Sequence, residues 1–380
     1  MKTVIRNGLV VNNECTAFLP LDIVIRDGLI EKLLPRGTAV EDAAVIDAQG
    51  QYILPGLIDI HNHGALGVYY AISDDFTPAL ELFARHGVTT VLASTGCTPM
   101  DPLLASIRRI LEKQKTAPGA RIGGIHMEGP FLSSAKRGAM SIPDIPCTVE
   151  NFLKLYEAAE GQLRVMTIAP ERENALDVIR AGVERGIRMS LGHTDATYEQ
   201  AMAGIRAGAT GSTHTFNGMR SLMHRDPGVL GAVLTEPDVL CEAICDLVHL
   251  SPAIVKLILA AKGTDRMILI SDAVYITGFG DGEYRLGTQH KFVKDGVARL
   301  ANGTIAGSCF TMADGARNLI SLGCSLLDIA KVGARNPARA TGLTDRGLIK
   351  EGLLADLIIT DDKMQVSSVI LRGELVKQEE

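Results

Sequence analysis

The sequence predicts an α/β protein: a closed (β/α)8 (TIM) barrel of parallel strands, carrying a small β-sandwich-like domain formed from both termini. Three observations predict it. Apolar runs suited to strands recur through the middle of the chain, at 57–60, 89–93, 122–126, 165–168, 188–191, 211–214, 242–245 and 267–270, with helical stretches between them. Several of those helical stretches close on a glycine that leads straight into the next run, as at Gly87, Gly186 and Gly208. The two chain ends differ from the middle, being built of short strands and turns. Strand and helix alternating at this spacing imply parallel strands, and eight of them favour a closed barrel over an open sheet.

Taken in order, the first segment offers Val4-Ile5 and Leu9-Val10-Val11, then Asp22-Ile23-Val24-Ile25-Arg26, a turn at Asp27-Gly28, and Leu29-Ile30. Asp-Gly between apolar runs is a strong hairpin signal. The far end repeats the style with Asp356-Leu357-Ile358-Ile359-Thr360 and Val366-Ser367-Ser368-Val369-Ile370-Leu371, followed by Arg372-Gly373 and a last short strand. The two ends are expected to pair as one β domain, 1–52 with 346–380, around a barrel at 53–345. Between the barrel strands, Arg85-His86-Gly87, Glu184-Arg185-Gly186 and Arg206-Ala207-Gly208 place a glycine just past a helix end, where it supplies the left-handed residue that closes the helix. Two segments, 133–147 after the third strand and the glycine-rich 275–290 after the eighth, read as long loops that close over the barrel mouth.

The chain's 380 residues suit a barrel enlarged beyond its usual size of roughly 250. A hydrophobic share of 46% supplies a large core. A net charge of -6 argues against a nucleic-acid or anionic-membrane surface, since both need a basic face; an anionic substrate would need a local basic pocket. No apolar run approaches the roughly 20 residues of a membrane span, and Met1-Lys2-Thr3-Val4-Ile5-Arg6 does not read as a signal peptide. Seven cysteines form no disulfide framework and suit a reducing, cytoplasmic compartment, with Cys241 and Cys245 read as buried packing.

Polar residues collect where the apolar runs end. The first passes from Ile58-Asp59-Ile60 into His61-Asn62-His63, and residues two apart on a strand face the same way, so two imidazoles can reach one ion. The third ends in His126-Met127-Glu128, the fifth in Gly192-His193-Thr194, the sixth in Thr213-His214-Thr215 and the eighth in Ser271-Asp272-Ala273. In a barrel these ends converge on one mouth, where active sites of this architecture lie. A lone histidine is more often structural than a ligand. His86, His224 and His290, in helix or loop contexts, are read that way, and His126 is placed beside the ligands rather than among them. Four histidines, a glutamate and an aspartate at one end of five strands are a different matter, because charges buried together need partners or a metal.

Imidazole and carboxylate without thiolate suit Zn²⁺, with Fe²⁺, Mn²⁺ or Co²⁺ as alternatives, and the set is large enough for one or two ions. A cation there would acidify a water and polarise a carbonyl, while Asp272 would take the proton and return it to a leaving amine.

At these residues the chain resembles the N-acetylglucosamine-6-phosphate deacetylases of the amidohydrolase superfamily. The resemblance runs through Pro55-Gly56-Leu57-Ile58-Asp59-Ile60-His61-Asn62-His63-Gly64, His126-Met127-Glu128-Gly129-Pro130-Phe131 and Ala169-Pro170-Glu171. It continues in Gly192-His193-Thr194-Asp195-Ala196-Thr197-Tyr198, His214-Thr215-Phe216-Asn217-Gly218-Met219, Ser271-Asp272-Ala273 and Gly352-Leu353-Leu354-Ala355-Asp356-Leu357. It implies that Glu128, His193 and His214 hold a principal metal, that His61 and His63 hold a second, and that Asp272 is the catalytic acid and base. It also implies that Asn217 and the backbone of Gly218 contact an amino-sugar phosphate, with His249 beside it. Arg225 would pair with the phosphate across a homodimer interface. An arginine suits phosphate because its planar fork makes two charge-assisted hydrogen bonds.

The chain departs from the family pattern at three places. Met140 stands where a substrate-facing histidine is usual, Asp246-Leu247-Val248-His249 replaces an Asp-Gly before the later histidine, and Gly64-Ala65-Leu66-Gly67 breaks a glycine run. These bear on which substrate is taken: N-acetylglucosamine 6-phosphate, with N-acetylgalactosamine 6-phosphate or a related N-acyl compound as alternatives. A cyclic-amide hydrolase of the same superfamily would bridge two metals with a modified lysine at the end of the fourth strand, where this chain has Thr167-Ile168-Ala169-Pro170-Glu171. A ligand-binding protein without catalysis would have lost a ligand or the acid/base, and all are present.

Overall fold

The computed structural model describes residues 2–286 and 289–378. At its centre is an eight-stranded parallel sheet whose strands follow one another in chain order. They are Leu57–Asn62, Val88–Thr95, Arg121–Glu128, Leu163–Ile168, Arg188–Leu191, Gly211–Ser212, Leu240–Ile244 and Met267–Ile270. The seam between the first and last strands is closed at the mouth, where the Asp272 amide donates to His61 O (2.9 Å) and the His63 amide to Ala273 O (2.7 Å). The barrel is as the sequence predicts. Nearly every residue of these strands is buried, which their apolar runs require of a sheet covered on both faces.

Helices on the outer face return the chain between strands: Thr77–Arg85, Met100–Thr116, Val149–Ala158, Ala175–Val183, Tyr198–Arg206, Gly228–Thr235 and Pro252–Lys262. Gly87, Gly186 and Gly208 follow their helices at φ of 83°, 73° and 113°, as a left-handed closing residue must. The helix Tyr198–Arg206 begins at a capping box in which Thr197 and Gln200 satisfy each other's backbone amides. Among the described residues, no helix is long and apolar enough to cross a membrane.

The sixth strand is shorter than the expected 211–214. It ends at Ser212, because the chain turns out of the ladder at His214 (φ 29°) and Phe216 (φ 81°), with the Asn217 amide donating to His214 O at 2.9 Å.

The chain ends build two further sheets. One has four strands, in the order Leu29–Pro35, Leu21–Arg26, Lys2–Arg6 and Ala44–Asp47. Its hairpin turns at Asp27 and Gly28, both left-handed (φ 51° and 80°), which matches the twist of the paired strands. The other has six strands drawn from both ends, and Leu357–Thr360 pairs antiparallel with Tyr52–Pro55 at its centre.

The segment after the eighth strand differs from the expected long loop at 275–290. It contains a three-stranded antiparallel sheet of Gly282–Leu286, Gln289–Lys294 and Val297–Arg299; residues 287 and 288 lie outside the described residues. Val293 and Ala298 pack with Val274, Tyr275 and Ile276 in a small apolar cluster, so this insertion is anchored beside the barrel mouth. Within it Lys291 is buried, donating to Ala306 O at 2.8 Å with its ammonium over the Tyr275 ring. Burial pushes this ammonium down to about 8, although the Asp272 carboxylate opposes the fall. An unfolded lysine keeps its proton to about 10.4, so between those values the unfolded state binds more protons and stability rises with pH. The Lys291→Met variant should lack this rise: the unfolding free energy of the parent should gain on the variant by up to about 1.4 kcal/mol per pH unit between about 8 and 10. Urea denaturation at several pH values checks this, and parallel profiles would refute it.

Candidate metal centre

Two alternating residues at the end of the first strand, His61 and His63, project into the barrel mouth. His61 is fully buried, with its Nδ1 3.3 Å from Glu242 Oε2. An ionised carboxylate can only accept, so this contact places the hydrogen on Nδ1 and turns the Nε2 lone pair into the site. His193, after the fifth strand, is set the same way, its Nδ1 donating to Lys136 O at 2.8 Å. His214 follows the sixth strand, and its Nε2 lies 2.9 Å from His193 Nε2.

Glu128, at the end of the third strand, joins these imidazoles. Its Oε1 is 3.2 Å from His193 Nε2, 3.1 Å from His214 Nε2 and 3.4 Å from His61 Nε2, while its Oε2 is 3.1 Å from His63 Nε2. Two ligand groups result, His61–His63–Glu128 and Glu128–His193–His214, which share the one carboxylate. Asp272 faces them, with Oδ1 3.5 Å from His63 Nε2 and 3.6 Å from His61 Nε2; with 15% of its side chain exposed it is the most open of the set.

The groups fit a divalent cation. Ligand atoms about 2.0–2.2 Å from a tetrahedral ion lie roughly 3.3–3.5 Å from one another, close to the separations around Glu128. His61 Nε2, buried and aimed at Glu128 and Asp272, has no hydrogen-bond partner among the described residues. The field also favours positive charge. Burial works against ionisation of Glu128, yet His61, His193 and His214 hold its carboxyl well below the usual range. Burial likewise works against protonation of His61, and Glu128 and Glu242 overcome it.

Backbone strain concentrates here. His193 (φ 45°), His214 (φ 29°) and Asp272 (φ 49°) all adopt left-handed conformations that side chains larger than glycine rarely take. Two of them are gripped by backbone bonds from a neighbouring segment, the Ser133 amide donating to His193 O and the Ser308 amide to Asp272 O, both at 2.9 Å, while the His214 amide donates to the Glu242 side chain at 3.3 Å. Tertiary contacts therefore fix the directions in which these three side chains leave the chain.

The remaining sequence-derived residues are placed as follows. His126 lies beneath the site against His61, with ring nitrogens 2.9 Å from both Ser94 Oγ and Thr167 Oγ1, so it has no lone pair for a metal. Burial and the neighbouring His61 push it well below the usual imidazole value. Asn217 donates to His214 O at 3.3 Å, and Gly218 (φ 60°) approaches so closely that an added Cβ would meet His193 Nδ1 at 2.8 Å. Met140 is half-buried in the segment whose Lys136 carbonyl orients His193. His249 Nδ1 is 2.7 Å from Asp246 Oδ2; burial opposes its protonation, but that carboxylate raises it above the ordinary value. Leu247, in the position of the family's glycine, is left-handed at φ 61°. Arg225 is exposed, with no ion pair among the described residues. Of the histidines read as structural, His290 lies on a strand, 2.7 Å from Glu283 Oε1, rather than in a loop.

Sequence reasoning missed three carboxylates that position the others. Glu242 holds His61. Asp59 accepts from Ser271 Oγ (2.5 Å) and Ser271 N (3.2 Å) across the barrel seam, and burial raises its carboxyl to about 6. Glu171 accepts from Thr194 Oγ1 and the Asp195 amide just after His193. The signals present were a charge within an otherwise apolar strand, at Asp59 and Glu242, and the place of Asp59 and Glu171 inside the motifs of the family resemblance.

Comparison with known proteins agrees with this geometry. The Amidohydrolase family model matches residues 52–376. An N-acetylglucosamine-6-phosphate deacetylase of Lysinibacillus sphaericus is 32% identical over 99% of this chain and 98% of its own. An N-acetylgalactosamine-6-phosphate deacetylase of Escherichia coli O157:H7 is 32% identical over 92% and 93%. Among solved structures, a mutant N-acetyl-D-glucosamine-6-phosphate deacetylase of Mycobacterium smegmatis, in complex with N-acetyl-D-glucosamine-6-phosphate, superposes with a TM-score of 0.90 at 34% identity, over 99% of each chain.

Proposed function

The chain belongs to the N-acetylglucosamine-6-phosphate deacetylase family of amidohydrolases, and from that premise we propose that it removes acetate from an N-acetyl amino-sugar phosphate, foremost N-acetylglucosamine 6-phosphate. The observation that carries the reading is one carboxylate, Glu128, shared by two imidazole groups, with Asp272 facing both.

His61, His63, Glu128, His193 and His214 would hold a divalent cation, one ion or two, with zinc first and iron, manganese or cobalt as alternatives. When bound, the cation polarises the acetyl carbonyl and acidifies a water. Asp272 accepts the proton of the attacking water, and as the carbon–nitrogen bond breaks it delivers that proton to the leaving nitrogen. Glucosamine 6-phosphate and acetate remain. Asn217 and the Gly218 backbone, which lie beside His214 and His193, are assigned to orient the sugar, and Met140 and His249 are assigned to its margin.

Arg225 is assigned to the phosphate across a homodimer interface, a placement supported by the exposed Leu222 and Met223 beside it (42% and 55%). Arg225→Ala should raise KM for the phosphorylated sugar about 10–150-fold, the value of a charged hydrogen-bond pair, and leave the unphosphorylated sugar unaffected. Equal effects on both sugars would remove Arg225 from the phosphate site.

All seven cysteines are unpaired, which supports a cytoplasmic location. The sheet shared by Tyr52–Pro55 and Leu357–Thr360 supports the division into a barrel at 53–345 and a β domain of 1–52 and 346–380. The cyclic-amide alternative lacks support, since the carboxylate common to both ligand groups, Glu128, would do the work of a bridging lysine and the fourth strand ends without one.

The test is acetate release by the metal-loaded protein from N-acetylglucosamine 6-phosphate, N-acetylgalactosamine 6-phosphate and unphosphorylated N-acetylglucosamine. The E. coli relative is the reason for including the second sugar. Turnover of the first phosphate ester well above the other two is expected. Turnover of none, with metal bound, would move the substrate outside the amino sugars.

A further inference from the structure

Glu242 lies on the seventh strand, with no place in the ligand set and 1% of its surface exposed. Its Oε2 makes two contacts. It sits 3.3 Å from His61 Nδ1 and accepts from the His214 amide at 3.3 Å. Its backbone carbonyl also accepts from the Thr215 amide at 2.9 Å. His61 belongs to one ligand group and His214 to the other, so a single carboxylate oxygen grips a member of each. At His214 the grip falls on a backbone held at φ 29°, where the sixth strand has already left its ladder. Its other oxygen, Oε1, is buried with no hydrogen-bond partner among the described residues, and Arg188, buried on the fifth strand, makes no ion pair with it there, although this carboxylate opposes the fall of the Arg188 guanidinium to about 10.

We infer that Glu242 is a positioning residue for both of the ligand groups that share Glu128, by fixing the His61 tautomer and holding the turn that aims His214. With Nδ1–H committed to Glu242, His61 can offer only Nε2 to a cation. A glutamine in its place can turn its amide NH2 toward Nδ1, which moves the imidazole hydrogen to Nε2 and points it at the ion. Outer partners of metal-bound histidines act in this way and are worth about 10–100-fold in affinity.

The inference rests on the metal-centre reading, and the experiment separates the two. Zinc binding is measured by competition with a chelator for the parent protein, Glu242→Gln, His61→Ala and the double variant, alongside thermal unfolding of each without metal. A loss of about 10–100-fold in affinity is expected for Glu242→Gln, with metal-free unfolding close to that of the parent. In the His61→Ala background the same change should cost several-fold less, because one of its two targets is gone. Parent-like affinity in Glu242→Gln would overturn the inference. So would an equal loss in both backgrounds, the signature of general loosening, and this comparison holds even if the variant is less stable. Absence of zinc binding by the parent itself would instead overturn the metal reading beneath it.

Discussion

Asp272→Asn is expected to reduce acetate release about 10²–10⁴-fold, the usual worth of a positioned proton-transfer group, with zinc content unchanged. Asparagine is the fair substitute for two reasons. It is nearly isosteric but cannot take a proton from water at neutral pH. It also tolerates the left-handed conformation that Asp272 adopts at φ 49°, where alanine would add backbone strain to the chemical loss. The backbone bonds on either side, from the Asp272 amide to His61 O and from the Ser308 amide to Asp272 O, do not depend on the side chain. Asp272 belongs to neither ligand group, so retained metal with lost turnover is the diagnostic pair. Activity within a few-fold of the parent would exclude Asp272 as the acid/base.

Glu128→Gln is the change with the next largest expected effect. Glu128 oxygens lie between 3.1 and 3.4 Å from the Nε2 atoms of His61, His63, His193 and His214. Removing its charge leaves each ligand group with two imidazoles and no anion, and a direct ligand is worth more than the about 10–100-fold that outer partners contribute. Bound metal should fall toward zero at micromolar zinc, measured by elemental analysis after gel filtration, and deacetylation should fall with it. Restoring metal by raising zinc to millimolar should return part of the activity, because the imidazoles remain in place. A variant that keeps its full complement of metal would show that Glu128 is not the shared ligand.

The barrel was legible because its signals are local. Alternation of apolar runs with helices closed by Gly87, Gly186 and Gly208 needs no knowledge of what lies across the molecule. The ligand set was legible for a related reason: in a closed parallel barrel every strand end meets the others, so polar residues following apolar runs share one mouth. The assignment to deacetylation needed more than this, and came from the resemblance in the motifs around His61, Glu128, His193, His214 and Asp272. Other features were hidden. The insertion holding Gly282–Leu286 and Gln289–Lys294 was masked by its glycines, and its strands depend on packing against Tyr275 and Ile276. The early end of the sixth strand depends on turned-out backbone at His214 and Phe216.

By itself, then, the sequence determined the architecture, the donor atoms available to a cation and the mouth at which they gather, since these follow from periodicity along the chain and from residue chemistry. Only the tertiary structure decided how the donors are shared and aimed. Glu128 became common to two groups, His126 was tied to two hydroxyls and removed from the ligand set, and Glu242 was brought to His61 across 181 residues of chain. Those outcomes depend on barrel closure and on left-handed turns held by hydrogen bonds from distant segments. Such distances are set by the packing of the whole fold, which no local pattern records.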